Sequence, residues 1–264
     1  MKILSVKYNV QDTNQVRPVR NVYLCTMPLI FEKILPASRL GVWKIVEPEV
    51  SLREASRAVP EDLKVLDSYK NESRRKQWLA CRSLIAEMLG GENVKVTYDE
   101  YGKPSLNGFP GHISFSHTNE YAAVLLNETC PAGLDIEKLG PRIHKVAERF
   151  LQPDELEYAL QLAGMKAEGG NGNVTLSDRE KTGSHPHTEI LYLYWCAKEA
   201  LYKFYGKPSV DLKNDIHIAA FDYFCTAQAT FAARVKFPEG AKDHELQFER
   251  IGDHMLVYTI SKQG

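Results

Sequence analysis

Trp195-Cys196-Ala197-Lys198-Glu199-Ala200-Leu201-Tyr202-Lys203 is the stretch on which the reading of this chain turns. Ala, Lys, Glu and Leu are good helix formers, and no Gly or Pro intervenes before Gly206, so the spacing predicts a helix. On that helix Trp195, Glu199 and Lys203 fall at i, i+4 and i+8 and share one face. Taken alone, such a face is usually a surface Glu–Lys pair. A second stretch changes the weighing. Gly133-Leu134-Asp135-Ile136-Glu137 sets two carboxylates at i and i+2 between apolar residues. In a strand these acids project to one face, while Leu134 and Ile136 turn to apolar packing on the other.

Two like charges on one face repel unless a cation or protons intervene. With Glu199 as a third carboxylate, Asp135 and Glu137 make an all-oxygen donor set. Mg²⁺ takes such sets and keeps open positions for phosphate oxygens and water. The plainer reading of the pair is a strand end whose acids face solvent. On the basic side Lys103, His117, Lys198 and Lys203, with Arg74, Arg75, Lys76 and Arg82, are candidate phosphate binders. Carboxylates and cations around one pocket suggest metal-assisted chemistry on a phosphate ester.

Upstream of the two stretches, residues 2–8, 22–24 and 42–46 read as strands. Ser51-Leu52-Arg53-Glu54 has the form of a capping box, and Pro60 opens a second helix. Residues 73–89 form the most helical segment of this half, stopped by Gly90-Gly91. Strands are expected at 94–98, 112–117, 121–126 and 133–137. The last three read as an antiparallel meander with turns near His117 and Glu128. Residues 141–162 are helical, broken at Pro153. The polar stretch 164–187 has almost no apolar residues and reads as a loop or insert, about 164–188. After Gly206-Lys207-Pro208 the chain turns strand-rich, at 216–220, 229–237, 245–251 and 254–260.

At 264 residues the chain can bury a sizeable core as one large domain or two small ones. Its formal net charge of −1 gives no global case for binding nucleic acid or membrane, so an anionic partner must meet a local basic patch. Five scattered cysteines without a CxxC argue for a reduced cytosolic protein with no structural zinc. The start, Met1-Lys2-Ile3-Leu4-Ser5-Val6-Lys7, is too short and too charged for a signal-peptide core. No apolar run approaches the roughly 18 residues of a membrane span, and a soluble cytoplasmic protein is expected.

The two stretches together resemble the signature pair of the 4′-phosphopantetheinyl transferase superfamily, G-[VI]-D-x-E and [FW]-[SCT]-x-K-E-[AS]-x-x-K. Every position fits except Leu134, a mild departure. The basic helix 74–89, Tyr101-Gly102-Lys103-Pro104 and Phe115-Ser116-His117-Thr118 look like the monomeric, two-half branch that activates surfactin synthetase. The resemblance covers roughly residues 60–215. One departure is spacing: 64 residues separate Asp135 from Glu199, more than is usual, and the polar stretch supplies the excess.

The resemblance implies an α+β fold of two similar α/β halves in pseudo-twofold arrangement. Each half would be a small antiparallel sheet packed on a long helix, here residues 1–126 and 127–264, with coenzyme A in the cleft between them. Asp135, Glu137 and Glu199 would hold Mg²⁺ (Mn²⁺ suits the same oxygens) against the pyrophosphate. Glu199 would act as base, directly or through water, and Lys203 would steady the phosphates. Lys103, Ser116 and His117 would bind the adenosine and its 3′-phosphate end, with Arg75, Lys76, Arg82 and Lys198 as further cofactor contacts. The implied reaction moves 4′-phosphopantetheine from coenzyme A to a serine of an apo acyl- or peptidyl-carrier protein and releases 3′,5′-ADP. Residues 138–149 and the helix that follows them are where the carrier would dock. No nucleic-acid or membrane partner is implied, and the protein would work as a monomer. Two other readings remain open: a coenzyme A or carrier-protein binding module without chemistry, and a Mg²⁺-dependent nucleotide pyrophosphate hydrolase.

Overall fold

The computed structural model describes residues 28–162, 185–207, 209–221, 223 and 228–261. The strands expected at 2–8 and 22–24, and the polar stretch up to residue 184, lie outside them. Residues 185–188, read as the end of that stretch, instead open a long helix.

The first sheet is built from β1 (Leu29–Leu35), β2 (Ser38–Lys44), β5 (His112–His117) and β6 (Tyr121–Asn127), in the order β1-β2-β6-β5, all antiparallel. Between β2 and β5 run three helices, α1 (Glu49–Ala55), α2 (Pro60–Asp67) and α3 (Glu72–Met88), and a two-stranded ribbon, β3 (Val96–Tyr98) with β4 (Pro104–Leu106). Helix α1 starts at Glu49 after Pro48, so Ser51 is interior and no capping box forms. Asn71 caps α3 by accepting from the Arg74 N–H, and Gly90 and Gly91 end it at positive φ.

The second sheet holds β7 (Ala132–Lys138), β8 (Ile216–Ile218), β9 (Gln228–Phe237), β10 (Gly240–Ile251) and β11 (His254–Ile260), ordered β7-β11-β10-β9-β8. Helices α4 (Arg142–Phe150), α5 (Pro153–Leu162) and α6 (His185–Tyr205) follow β7. The two halves repeat one topology. A strand leads through helices to a hairpin whose last strand returns beside the first: β2 with β6, and β7 with β11.

This corrects the expected meander. Strand β6 already has β2 and β5 on its two edges, so it has no free hydrogen-bonding edge for β7. Strand β7 pairs with β11 and becomes the edge of the second sheet.

Alternation along the strands stacks the layers. Ala122, Val124 and Leu126 of β6 face α3, packing on Trp78, Leu84 and Ile85. Ala123 and Leu125 face the other way, onto Leu134 and Ile136 of β7 and Leu256 and Tyr258 of β11. The other face of β11, Met255 and Val257, packs on α6 residues including Leu193, Ala197 and Leu201. The order is therefore helix, sheet, sheet, helix, with β7 between the first sheet and α6.

Gly133 sets how closely β7 approaches α6. A Cβ there would lie 2.1 Å from the Ala200 carbonyl oxygen and 2.8 Å from the Phe204 nitrogen, both backbone atoms that cannot swing away. Gly133→Ala is expected to cost about 2 kcal/mol through overpacking. Urea unfolding of the purified variant checks this, and an unchanged midpoint would contradict the close approach.

Candidate active site

The same alternation that buries Leu134 and Ile136 turns Asp135 and Glu137 toward α6. Helix α6 presents Trp195, Glu199 and Lys203 on the facing stripe. The structure thus brings together Asp135 and Glu199, which stand 64 positions apart in sequence. Lys203 pairs not with Glu199, its neighbour one turn back, but with Asp135: Nζ lies 2.7 Å from Oδ1. From β5, Ser116 donates to the same Oδ1 at 2.8 Å and accepts from Lys203 Nζ at 3.0 Å. The Trp195 indole N–H reaches Glu137 Oε1 at 3.4 Å, and its ring rests edge-on against Phe150.

The electrostatics follow from burial and crowding. Burial, then the Asp135 charge, pushes the Glu137 carboxyl up to about 7. Burial and Asp135 also raise Glu199. Burial works against the charge on Lys203, yet Asp135 outweighs it and holds the ammonium above the usual lysine range. Asp135 is 3% exposed, and its Oδ2 has no hydrogen-bond partner among the described residues. A buried carboxylate oxygen without a partner is costly. Three converging carboxyl groups, two of them raised by burial and by the Asp135 charge and the third with a spare buried oxygen, form a donor set that fits a divalent cation.

A pH dependence follows from Glu137. Its folded-state value lies above its unfolded one, so its contribution to stability is present below about 4.5 and is lost as pH rises through about 7. Without added metal, the thermal midpoint is expected to fall between pH 5 and pH 8, and Glu137→Gln to flatten that slope. Parallel melting curves for the two proteins would show that Glu137 does not carry it.

The cationic groups divide. Arg74 reaches His117, its Nη1 lying 2.7 Å from Nε2. Because Arg only donates, Nε2 accepts and the ring proton sits on Nδ1. Burial, with Arg74 and Lys203 nearby, pushes His117 down to about 4, so near pH 7 it is a neutral ring. Arg75, one residue on, is committed elsewhere: it pairs with Glu49 at 2.9 Å and donates to the Tyr69 and Lys70 carbonyls. Lys76 is half-buried on the same turn. Arg82 is 2% exposed and stacks 3.3 Å over the Trp78 ring, inside the first half, so it is a packing arginine. Lys103 caps α6 by donating to the Phe204 carbonyl, and Gly206, at φ 60°, leaves room for its stem.

Lys198 is the clearest departure from the expected set. It is fully buried, 2.7 Å from Glu155 Oε2 and 2.6 Å from the Ile216 carbonyl. Glu155 also accepts from the Gln152 and Ile218 N–H groups. Lys198 sits 100° around the helix from Glu199, which turns it into the core of the second half rather than toward the carboxylates. Glu155 itself carried no signal in the sequence, because its partner lies 43 residues away.

Space opens beside Lys203 and beside Glu137. A slot of about 160 Å³ is lined by Tyr98, Tyr101, Lys103, Phe115, Tyr202 and Lys203. A wider groove of about 700 Å³ is lined by residues that include His117, Glu137, Arg142 and Tyr192. A cavity of about 990 Å³ lies at the α6 C-terminus and is lined by neither the three carboxylates nor Lys203. Glu120, Asp253 and His254 also gather, but Lys138 already bridges the two acids, and both His254 nitrogens are bonded, to Asp253 and Thr118. That trio ties the β5–β6 and β10–β11 turns together.

Residues 131–249 match the model of the 4′-phosphopantetheinyl transferase superfamily. A "4′-phosphopantetheinyl transferase" of Bacillus subtilis is 27% identical over 149 residues, 52% of this chain and 57% of that protein. The "4′-phosphopantetheinyl transferase Sfp" of Bacillus subtilis strain 168 is 29% identical over 129 residues, 48% of each chain. The "4′-phosphopantetheinyl transferase gsp" of Aneurinibacillus migulanus is 27% identical over 129 residues, 48% of this chain and 52% of that protein. The chain thus spans about half the length of the curated relatives it matches. No helix among the described residues is long and apolar enough to cross a membrane.

Proposed function

We infer, from the match of residues 131–249 to the 4′-phosphopantetheinyl transferase superfamily and from the site they help to form, that this chain belongs to that family and transfers 4′-phosphopantetheine from coenzyme A to an apo carrier protein. One observation carries the reading. Asp135, Glu137 and Glu199 converge from a strand and a helix with Lys203 among them and a buried Asp135 oxygen to spare.

Asp135, Glu137 and Glu199 would hold a divalent cation, Mg²⁺ by the hardness of the donors, with Mn²⁺ suiting the same oxygens. Bound there, the ion supplies charge neutralisation for a pyrophosphate. Lys203 reaches the same place and offers its remaining proton to a phosphate oxygen. The aromatic slot beside Lys203, with Lys103 at its wall, suits a nucleotide base, and Arg74 with His117 suits a phosphate at the opposite edge. The wider groove gives an acceptor access to Glu137.

The acceptor serine oxygen forms a bond to the β-phosphorus, the bond from that phosphorus to 3′,5′-ADP breaks, and the serine proton passes to Glu199 or to water beside it. Burial and Asp135 hold Glu199 above the usual carboxylate range, which suits a group that must accept a proton. Division near residue 127, a cytoplasmic setting and a monomeric state belong to the same reading.

Intact-mass spectrometry of apo carrier proteins, incubated with this chain, coenzyme A and Mg²⁺, tests it. A mass gain of one phosphopantetheine, lost with chelator, is expected. Release of 3′,5′-ADP without carrier modification would point to a hydrolase. Coenzyme A binding with neither product would point to a binding module.

A further inference from the structure

Ser116 is expected, by resemblance, to contact coenzyme A, but its hydroxyl is already occupied. It has one proton, which it gives to Asp135 Oδ1 at 2.8 Å, and it accepts from Lys203 Nζ at 3.0 Å. It is 9% exposed on β5, the edge strand of the first sheet, while Asp135 lies on β7, the edge strand of the second, and Lys203 on α6. To donate to a ligand, Ser116 would have to release Asp135.

The two oxygens of Asp135 are also unequal. Among the described residues the Ser116 hydroxyl and the Lys203 ammonium both donate to Oδ1, the buried Cys196 thiol lies against the same carboxylate, and Oδ2 is buried without a nitrogen or oxygen donor. A carboxylate swings about its χ2 torsion with little resistance unless a neighbour fixes it. Lys203 alone does so poorly, because its ammonium ends a flexible four-carbon stem. Ser116, on a short side chain rooted in a strand, is the rigid member of the trio.

We propose that Ser116 is a positioning residue that locks the Asp135 carboxylate with Oδ1 engaged and Oδ2 presented to the divalent cation, and sets the place of the Lys203 ammonium. The inference rests on the metal-dependent transferase reading above. It gives the first half a part in arranging the donors of the second, since a β5 residue orients a β7 ligand across the seam between the sheets.

The test uses the full chain and Mn²⁺ as probe, followed by electron paramagnetic resonance in the absence of coenzyme A. Ser116→Ala is expected to bind Mn²⁺ about tenfold more weakly, in the range seen when groups behind a metal ligand are removed. Its kcat should fall by a similar factor while the KM for coenzyme A changes little. Ser116→Thr, which restores a hydroxyl, should recover most of the Mn²⁺ affinity. Unchanged Mn²⁺ affinity with a raised KM for coenzyme A would overturn the proposal and make Ser116 a direct ligand contact. Wild-type protein that transfers phosphopantetheine without binding Mn²⁺ would overturn it too. Wild-type protein that does neither would overturn the transferase reading and the proposal with it. Thermal midpoints of the three proteins guard against misfolding, and a Thr variant that melts like wild type yet stays as weak as Ala would also count against the hydroxyl.

Discussion

Glu199→Gln is expected to fold normally and to lower turnover by at least about a hundredfold. Gln keeps the shape and volume of Glu but removes one of the three carboxylates that would face a cation, and with it the group proposed to accept the serine proton. The same change should not destabilise the metal-free protein. Glu199 is held above the ordinary carboxylate range by burial and by Asp135, so folding works against its charge. A neutral amide removes that repulsion, and the thermal midpoint without metal should stay level or rise. Loss of activity with gain of stability is the mark of a residue kept for its chemistry. Single-turnover transfer to a carrier protein, set beside melting curves without metal, checks both parts. A near-wild-type rate would remove Glu199 from the mechanism.

Lys198→Met is expected to do the reverse, damaging the fold before the chemistry. The ammonium is wholly buried and answers the equally buried Glu155. Removing it strands a carboxylate in the core of the second half, which costs about 3–5 kcal/mol. Adding Glu155→Gln removes the stranded charge and should recover most of the stability. Denaturant unfolding of the single and double variants tests this. A single variant as stable as wild type would mean that the pair contributes nothing.

The contrast between adjacent residues Glu199 and Lys198 shows how far a motif can be read. Both belong to one nine-residue stretch of charged and apolar residues, and both carry formal charge. Helical geometry tells them apart by 100° of rotation, but which direction faces substrate and which faces core depends on what packs there. Glu155 and β8 occupy one side of α6, and Asp135 the other. Arg74 and Arg75 pose the same problem at the start of α3. The basic cluster was legible, but which neighbour meets His117 and which meets Glu49 was not.

Local pattern by itself determined the elements that matter: the alternation that puts Asp135 and Glu137 on one face of β7, the helix that aligns Trp195, Glu199 and Lys203, and the hairpin that carries Ser116 and His117. These follow from periods of 2 and 3.6 residues and need no distant partner. Only the tertiary structure decided that β7 leaves β6 to pair with β11, that Lys203 answers Asp135 rather than Glu199, and that Ser116 joins the carboxylate site. Those choices rest on which sheet edge is free and on how closely Gly133 lets strand and helix approach. Both are settled by packing between segments far apart in the chain, where sequence periodicity carries no information.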